Sequence, residues 1–227
     1  MTATTLTDAG ATARERSPYR GVGLLAIATG IAALALLANH PGGDARDFAG
    51  VLKEEAANRA MDAAVHGGFI VVLALQAVCY AVFSARLGWT RTAAVAGFVF
   101  FCAGAIFLSG SMVLDGLVTP AIAARYVAVP AKIESARTLF VLIGSLIGVL
   151  MPLGLAFQSA AIAVWGWALA ASGRRVAGLF GLALGLAMLV VLAAGFATMN
   201  PIALMGSIAG TALWAAVAGA VMVRGMP

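Results

Sequence analysis

Apolar residues in this chain come in long unbroken runs separated by short polar breaks. A half-buried strand would alternate every second residue, and a soluble amphipathic helix would show one polar face; neither pattern holds here. Runs of about 20 apolar residues match the hydrocarbon thickness of a bilayer. The pattern predicts an all-α fold, a bundle of six membrane-spanning helices over about 21–39, 60–84, 92–117, 137–171, 176–198 and 202–223. A transmembrane barrel is excluded, since its segments are short and alternating.

The breaks have local causes. The first helix stops at "NHPGG", where Pro41 and two glycines follow His40. The third is expected to end near Thr119-Pro120, the fourth to kink at Pro152, and Asn200-Pro201 to make a tight turn before the last helix. Residues 1–20 read as a disordered N-terminal tail. The apolar run Gly21–Ala38 exceeds a secretory h-region of 7–15 residues, so it is read as an uncleaved first span. Residues 21–224 then form a single transmembrane domain. Two longer connections, 39–59 and 118–136, hold short amphipathic pieces that either lie in the membrane interface or extend the next helix outward.

Composition agrees with the pattern. The 227 residues are 63% hydrophobic and 10% charged, with mean hydropathy +1.02, whereas a soluble domain is about 25% charged. The net charge of +5 is read as topology, not as a sign of nucleic acid. Arg14, Arg16, Arg20, Arg86, Arg91, Arg174, Arg175 and Arg224 fall at one end of the predicted helices, with two acids, Asp8 and Glu15. The other end has six basic residues and seven acids: Asp44, Asp47, Glu54, Glu55, Asp62, Asp115 and Glu134. The positive-inside rule then puts both termini in the cytoplasm of a bacterial-type inner membrane. Trp89, Trp165 and Trp167 are expected near the inner interface.

Where charge enters a span it stands out. At 100° per residue Glu55, Arg59, Asp62 and His66 fall within about 60° of one another on helix 2, and Gln76 and Tyr80 continue the stripe inward. Lipid cannot solvate such a stripe, so it should face the protein interior or a wet cavity. Rise per residue places His66 about 30 Å from Arg86, at the outer edge of the hydrocarbon. Asp115 on helix 3 lies at nearly the same level, with Ser111 one turn below. An outward-facing polar pocket is expected, walled by Asp62, His66, Ser111 and Asp115, with Arg59, Glu134 and Arg137 above and His40 at the rim. Asp62 and His66 are spaced i,i+4, which suits a carboxylate orienting an imidazole. Such a pair relays a proton, binds a metal, or only holds helices together; the spacing alone does not choose.

Small-xxx-small spacings at Gly144/Gly148, Gly181/Gly185 and Gly206/Gly210 read as helix-packing positions, within the chain or in a homodimer. Cys79 and Cys102 sit inside apolar spans with no CxxC spacing. Two histidines exclude a histidine-box di-iron site and a three-histidine zinc hydrolase; a mixed histidine/carboxylate zinc site stays formally open, but no metal or other cofactor is indicated by spacing. There is no P-loop, G-x-S-x-G or G-x-G-x-x-G.

Three functions remain after these exclusions. The first is binding or transport of a small solute or lipid-like ligand at the polar pocket. The second is a non-catalytic accessory subunit of a larger membrane complex. The third is a membrane-embedded acid/base enzyme acting on a lipid or isoprenoid-like substrate. The expected partners are the lipid bilayer and a second copy or larger complex, and no nucleic acid.

Overall fold

The computed structural model describes residues 19–195 and 201–225, and among them there is no strand. The helices are α1 (Arg20–Ala38), α2 (Phe48–Leu87), α3 (Thr92–Val113), α4 (Thr119–Tyr126), α5 (Ile133–Ala171), α6 (Arg175–Gly195) and α7 (Pro201–Val223). A π turn, Leu114–Val118, joins α3 to α4 without a break, and a 3₁₀ turn, Pro130–Lys132, precedes α5. Six of the resulting rods among the described residues are long and apolar enough to cross a membrane. The expected tail and the turn at Asn200 lie outside the described residues.

Two boundaries differ from the sequence reading, for physical reasons. Helix α2 begins twelve residues early, at Phe48 rather than 60. The Asp47 side chain accepts a hydrogen bond from Gly50 N at 2.6 Å, an N-cap that satisfies a backbone donor the helix itself cannot. The residues that follow are mostly good helix formers. The third rod, in turn, does not end at Thr119-Pro120. Proline lacks an N–H and crowds the carbonyl four residues back. Here the preceding turn is widened to i→i+5 bonding, with Thr119 N–H reaching Leu114 O, and the chain continues as a helix to Tyr126. Pro152 sits inside α5, which runs on through it.

Much of both long connections is therefore helical. The first turns of α2, the short α4 and the first turns of α5 pack together beyond the apolar bundle. Leu52, Ala123 and Ala136 form the buried centre of this cap, with Phe48, Tyr126, Ile133 and Phe140 around it. Phe48 and Phe140 meet edge to face at 5.3 Å, and the Arg137 guanidinium lies 5.1 Å over the Phe48 ring. The cap holds the charged start of α2 over the end of the bundle where α1 finishes.

The opposite end is the basic one. Arg86 lies 4.6 Å over the Tyr19 ring, Arg91 donates to Ser172 Oγ at 2.5 Å, and Arg174 donates to the Gly225 carbonyl. Trp89 and Trp167 are exposed there. Trp165 is not an interfacial residue of that kind: it is fully buried among Tyr80, Phe83 and Phe101, and its indole N–H donates to Ser84 Oγ at 2.9 Å.

Within the bundle α1 packs along α7, α3 along α5, and α5 along α6. Close approach in lipid depends on small residues, since burial from lipid gains little hydrophobic energy. Gly181 and Gly185 on α6 meet α7 and α5, and Gly210 meets Met188. Gly144 and Gly206 meet nothing within 4 Å, and Gly148 is half-buried. The "GSLIG" and "GSIAG" echo is thus not a matched packing pair within the chain.

Candidate functional site

The site lies at the acidic end, under the cap. The buried face of α2 runs Asp62, His66, Phe69, Leu73, Gln76 and Tyr80, one residue per turn of a 3.6-residue helix. His66 is 2% exposed and Asp62 6%. The π turn brings the chain of α3 against them. His66 Nε2 lies 3.1 Å from Asp115 Oδ2, and the carboxylate is 34% exposed on its outer side. Gly116 is what permits this approach, because a Cβ there would overlap the Cβ and Cγ of His66.

The tautomer follows from the partners. His66 Nδ1 lies 2.9 Å from the Asp62 backbone carbonyl. A carbonyl only accepts, so Nδ1 carries a proton and donates it. In the neutral ring, Nε2 is then a lone pair facing a carboxylate oxygen, which is repulsive. The contact is attractive only if a positive species lies between the two atoms: a proton shared by histidine and carboxyl, or another cation.

His40 completes the site from the end of α1. Its Nδ1 lies 3.0 Å from the Pro41 carbonyl, so it too donates from Nδ1 and keeps Nε2 as a lone pair. Its ring stands edge-on to His66 with centroids 5.0 Å apart. A ring nitrogen of each histidine and an Asp115 oxygen all fall within 4.8 Å of one another. The glycine-rich link after His40 folds over the start of α2, where Ala45 N donates to Glu54 Oε2 at 3.2 Å. A cavity of about 50 Å³ remains, lined by His40, Pro41–Gly43, Glu54, Glu55, Asn58, Asp62, His66 and Asp115.

Glu55 belongs to the charged first turns of α2, beyond the apolar span. Burial pushes its carboxyl up to about 7, helped by the Asp62 and Asp115 carboxylates and opposed by His66. The pH consequence follows from linkage. An acid whose folded pKa is raised binds more protons folded than unfolded, so stability falls as pH rises from its ordinary value through about 7. Glu55→Gln should remove that fall. Thermal melts of detergent-purified protein from pH 5 to 8 are expected to show a flatter profile for the variant, with its advantage over wild type greatest at pH 8. A profile as steep as wild type would place the titration elsewhere.

Not every expected residue comes to the site. Arg59 is exposed and does not line the cavity. Glu134 and Arg137 pair with each other at 3.5 Å on α5, 80% and 53% exposed, and stand outside it; Arg137 serves the cap instead. Ser111 is buried one turn below Asp115 with no hydrogen-bond partner among the described residues, and it does not line the cavity. Glu54, Glu55 and Asn58 do line it. Glu55 was legible on the helical stripe; Glu54 and Asn58 enter because α2 starts early and the link folds back.

Inward of His66 and Asp115 in register, Phe69, Val72 and Met112 join Val65, Ala33 and Ala212 in a buried apolar layer. Phe69, Val72 and Met112 also line, with Gln76, Gln158 and Thr211, a separate void of about 40 Å³. Comparisons with known protein families, with curated proteins and with solved structures found no match.

Proposed function

We propose that this chain is a multi-pass protein of a bacterial-type plasma membrane, with both termini cytoplasmic, and that its pocket binds a small cationic solute from the outer side. The observation that carries the reading is the His66–Asp115 contact at 3.1 Å, where a proton, or a cation in its place, lies between the atoms. Glu55 and Asp62 line the same cavity and supply carboxyls that a bound cation would favour in their ionised form. The orientation rests on the arginines, which gather at the opposite end of the helices.

Size separates this reading from the others. A cavity of about 50 Å³ holds only a few water-sized species; a lipid-like or isoprenoid ligand is too large for it. That counts against the lipid-directed enzyme and narrows the solute to an ion or a very small amine. The apolar layer of Phe69, Val72 and Met112 favours binding over passage in this conformation. The accessory-subunit alternative draws on Gly144 and Gly206, whose faces meet nothing within 4 Å and would admit a neighbouring helix.

The test is a thermal-melt panel in detergent with sodium, potassium, ammonium, small alkylamines and divalent chlorides, at matched ionic strength. A ligand that binds only the folded state stabilises it by about 2.7 kcal/mol at a hundredfold excess over Kd. At least one cation is expected to raise the wild-type melting temperature while leaving a Glu55→Gln/Asp62→Asn double variant unmoved. If no cation shifts the wild type, the pocket is a packing device and the accessory reading takes its place.

A further inference from the structure

The two histidines are arranged alike. Each spends Nδ1–H on a backbone carbonyl, Asp62 for His66 at 2.9 Å and Pro41 for His40 at 3.0 Å. Metal-binding histidines are commonly fixed this way, because the outer hydrogen bond sets the tautomer and aims the other nitrogen. A ring nitrogen of each histidine and one carboxylate oxygen converge from three different segments: the end of α1, the buried face of α2 and the π turn after α3.

We infer that His40, His66 and Asp115 form a binding site for a divalent transition-metal cation of the zinc class. This rests on the small-cation reading above and names the cation. Bonds of 2.0–2.2 Å in a tetrahedral arrangement put neighbouring ligand atoms roughly 3.3–3.6 Å apart. The His66–Asp115 separation of 3.1 Å is a few tenths of an ångström short of that spacing. The third nitrogen falls within 4.8 Å and closes the set by a small turn of the exposed His40 ring. The fourth position faces the cavity, where a water fits.

The donor set also fits the charge. Two neutral imidazoles and one carboxylate suit zinc and its neighbours in the first transition row better than calcium or magnesium, which take oxygen ligands. Glu55 and Asp62, near the cation without belonging to the triad, offset the remaining positive charge. Binding exchanges one cation for another: the metal takes the place of the proton between Nε2 and Oδ2, and that proton is released. Affinity should therefore fall as pH is lowered. The titratable groups facing the site are Glu54, Glu55 and Asp62 on α2, Asp115 on the π turn and His40 on the link.

The experiment uses full-length untagged protein in detergent, stripped with a chelator and equilibrated with Zn²⁺ or Co²⁺. Bound metal is counted by elemental analysis, and Co²⁺ coordination is read from its visible spectrum. One equivalent per chain is expected, with the intense visible bands of four-coordinate Co²⁺. Protons should be released on addition of metal to a weakly buffered sample. His40→Ala, at an exposed helix end, should fold as wild type does and lose about tenfold or more in affinity; Asp115→Asn should lose at least as much.

The inference is overturned if wild type takes up no more Co²⁺ than His40→Ala, or if the bound Co²⁺ keeps the weak spectrum of the aqua ion. The cation reading has its own readout. A melting shift with a monovalent cation or amine, lost in Glu55→Gln/Asp62→Asn, would leave that reading standing while the metal site falls. Absence of both responses removes both.

Discussion

Replacement of Gly116 by valine should abolish the site and lower the yield of folded protein sharply. A side chain at 116 enters space held by the Cβ and Cγ of His66. His66 is 2% exposed on the packed face of α2, and its Nδ1 is tied to the Asp62 carbonyl, so it cannot swing aside without giving up that bond. The π turn must then move away from α2, which separates Asp115 from Nε2. Overpacking of this kind typically costs about 1–3 kcal/mol, and a polar pair left apart in a buried setting adds to it. Gly116→Ala is the milder probe, with the same sign. Folded yield by size exclusion and melting temperature in detergent would check both variants beside Leu117→Ala, an exposed neighbour. Wild-type melting for Gly116→Val would mean that the π turn does not press on His66.

At the other end of the bundle Trp165→Ala is expected to be the most destabilising single truncation in the core. The ring is 0% exposed and packs against Tyr80 at 4.7 Å and Phe83 at 5.8 Å. In a soluble protein, Trp→Ala costs about 3–5 kcal/mol. On the proposed membrane reading the transfer part of that sum is small, because lipid tails are as apolar as the protein core. The loss is then mostly the cavity and the missing van der Waals contacts, which places the expectation near ~3 kcal/mol. Trp165→Phe separates packing from polarity: it keeps most of the volume and leaves Ser84 without the donor it has at 2.9 Å. Ser84→Ala does the reverse and buries an unpaired indole N–H, at about 1–3 kcal/mol. Equilibrium unfolding in mixed micelles should rank Trp165→Ala well below both. Equal stability of all three would mean that the hydrogen bond, not the packing, holds this cluster.

Glycines illustrate how unevenly the sequence discloses contacts. Gly144, Gly148, Gly206 and Gly210 repeat a packing motif in sequence, yet Gly144 and Gly206 face open space. The glycines that let helices touch include Gly104 against the Gly154 carbonyl and Gly30 against the Ala212 carbonyl, and neither pair has a spacing that marks it. A small residue permits close approach; which neighbour uses it depends on the partner helix.

What the sequence determined by itself is everything that depends on one segment and its solvent. Runs of apolar residues of bilayer length fixed six candidate spans, because a helix satisfies all of its backbone bonds within itself. The 3.6-residue repeat put Glu55, Asp62 and His66 on one stripe, because angle around a helix is a local property. The helix starts and the site's membership were left to the tertiary structure. An N-cap at Asp47 and packing of Leu52 against α4 and α5 made the stretch before residue 60 more than three further turns of α2, the second of the two forms its sequence allowed. The wide turn at Leu114–Val118 carried the helix past Pro120 and set Asp115 against His66. His40 joined them only because α1 ends beside α2 and the link folds back over it. Contacts between segments distant in sequence are fixed by which surfaces can pack together, and no periodicity within one segment carries that information.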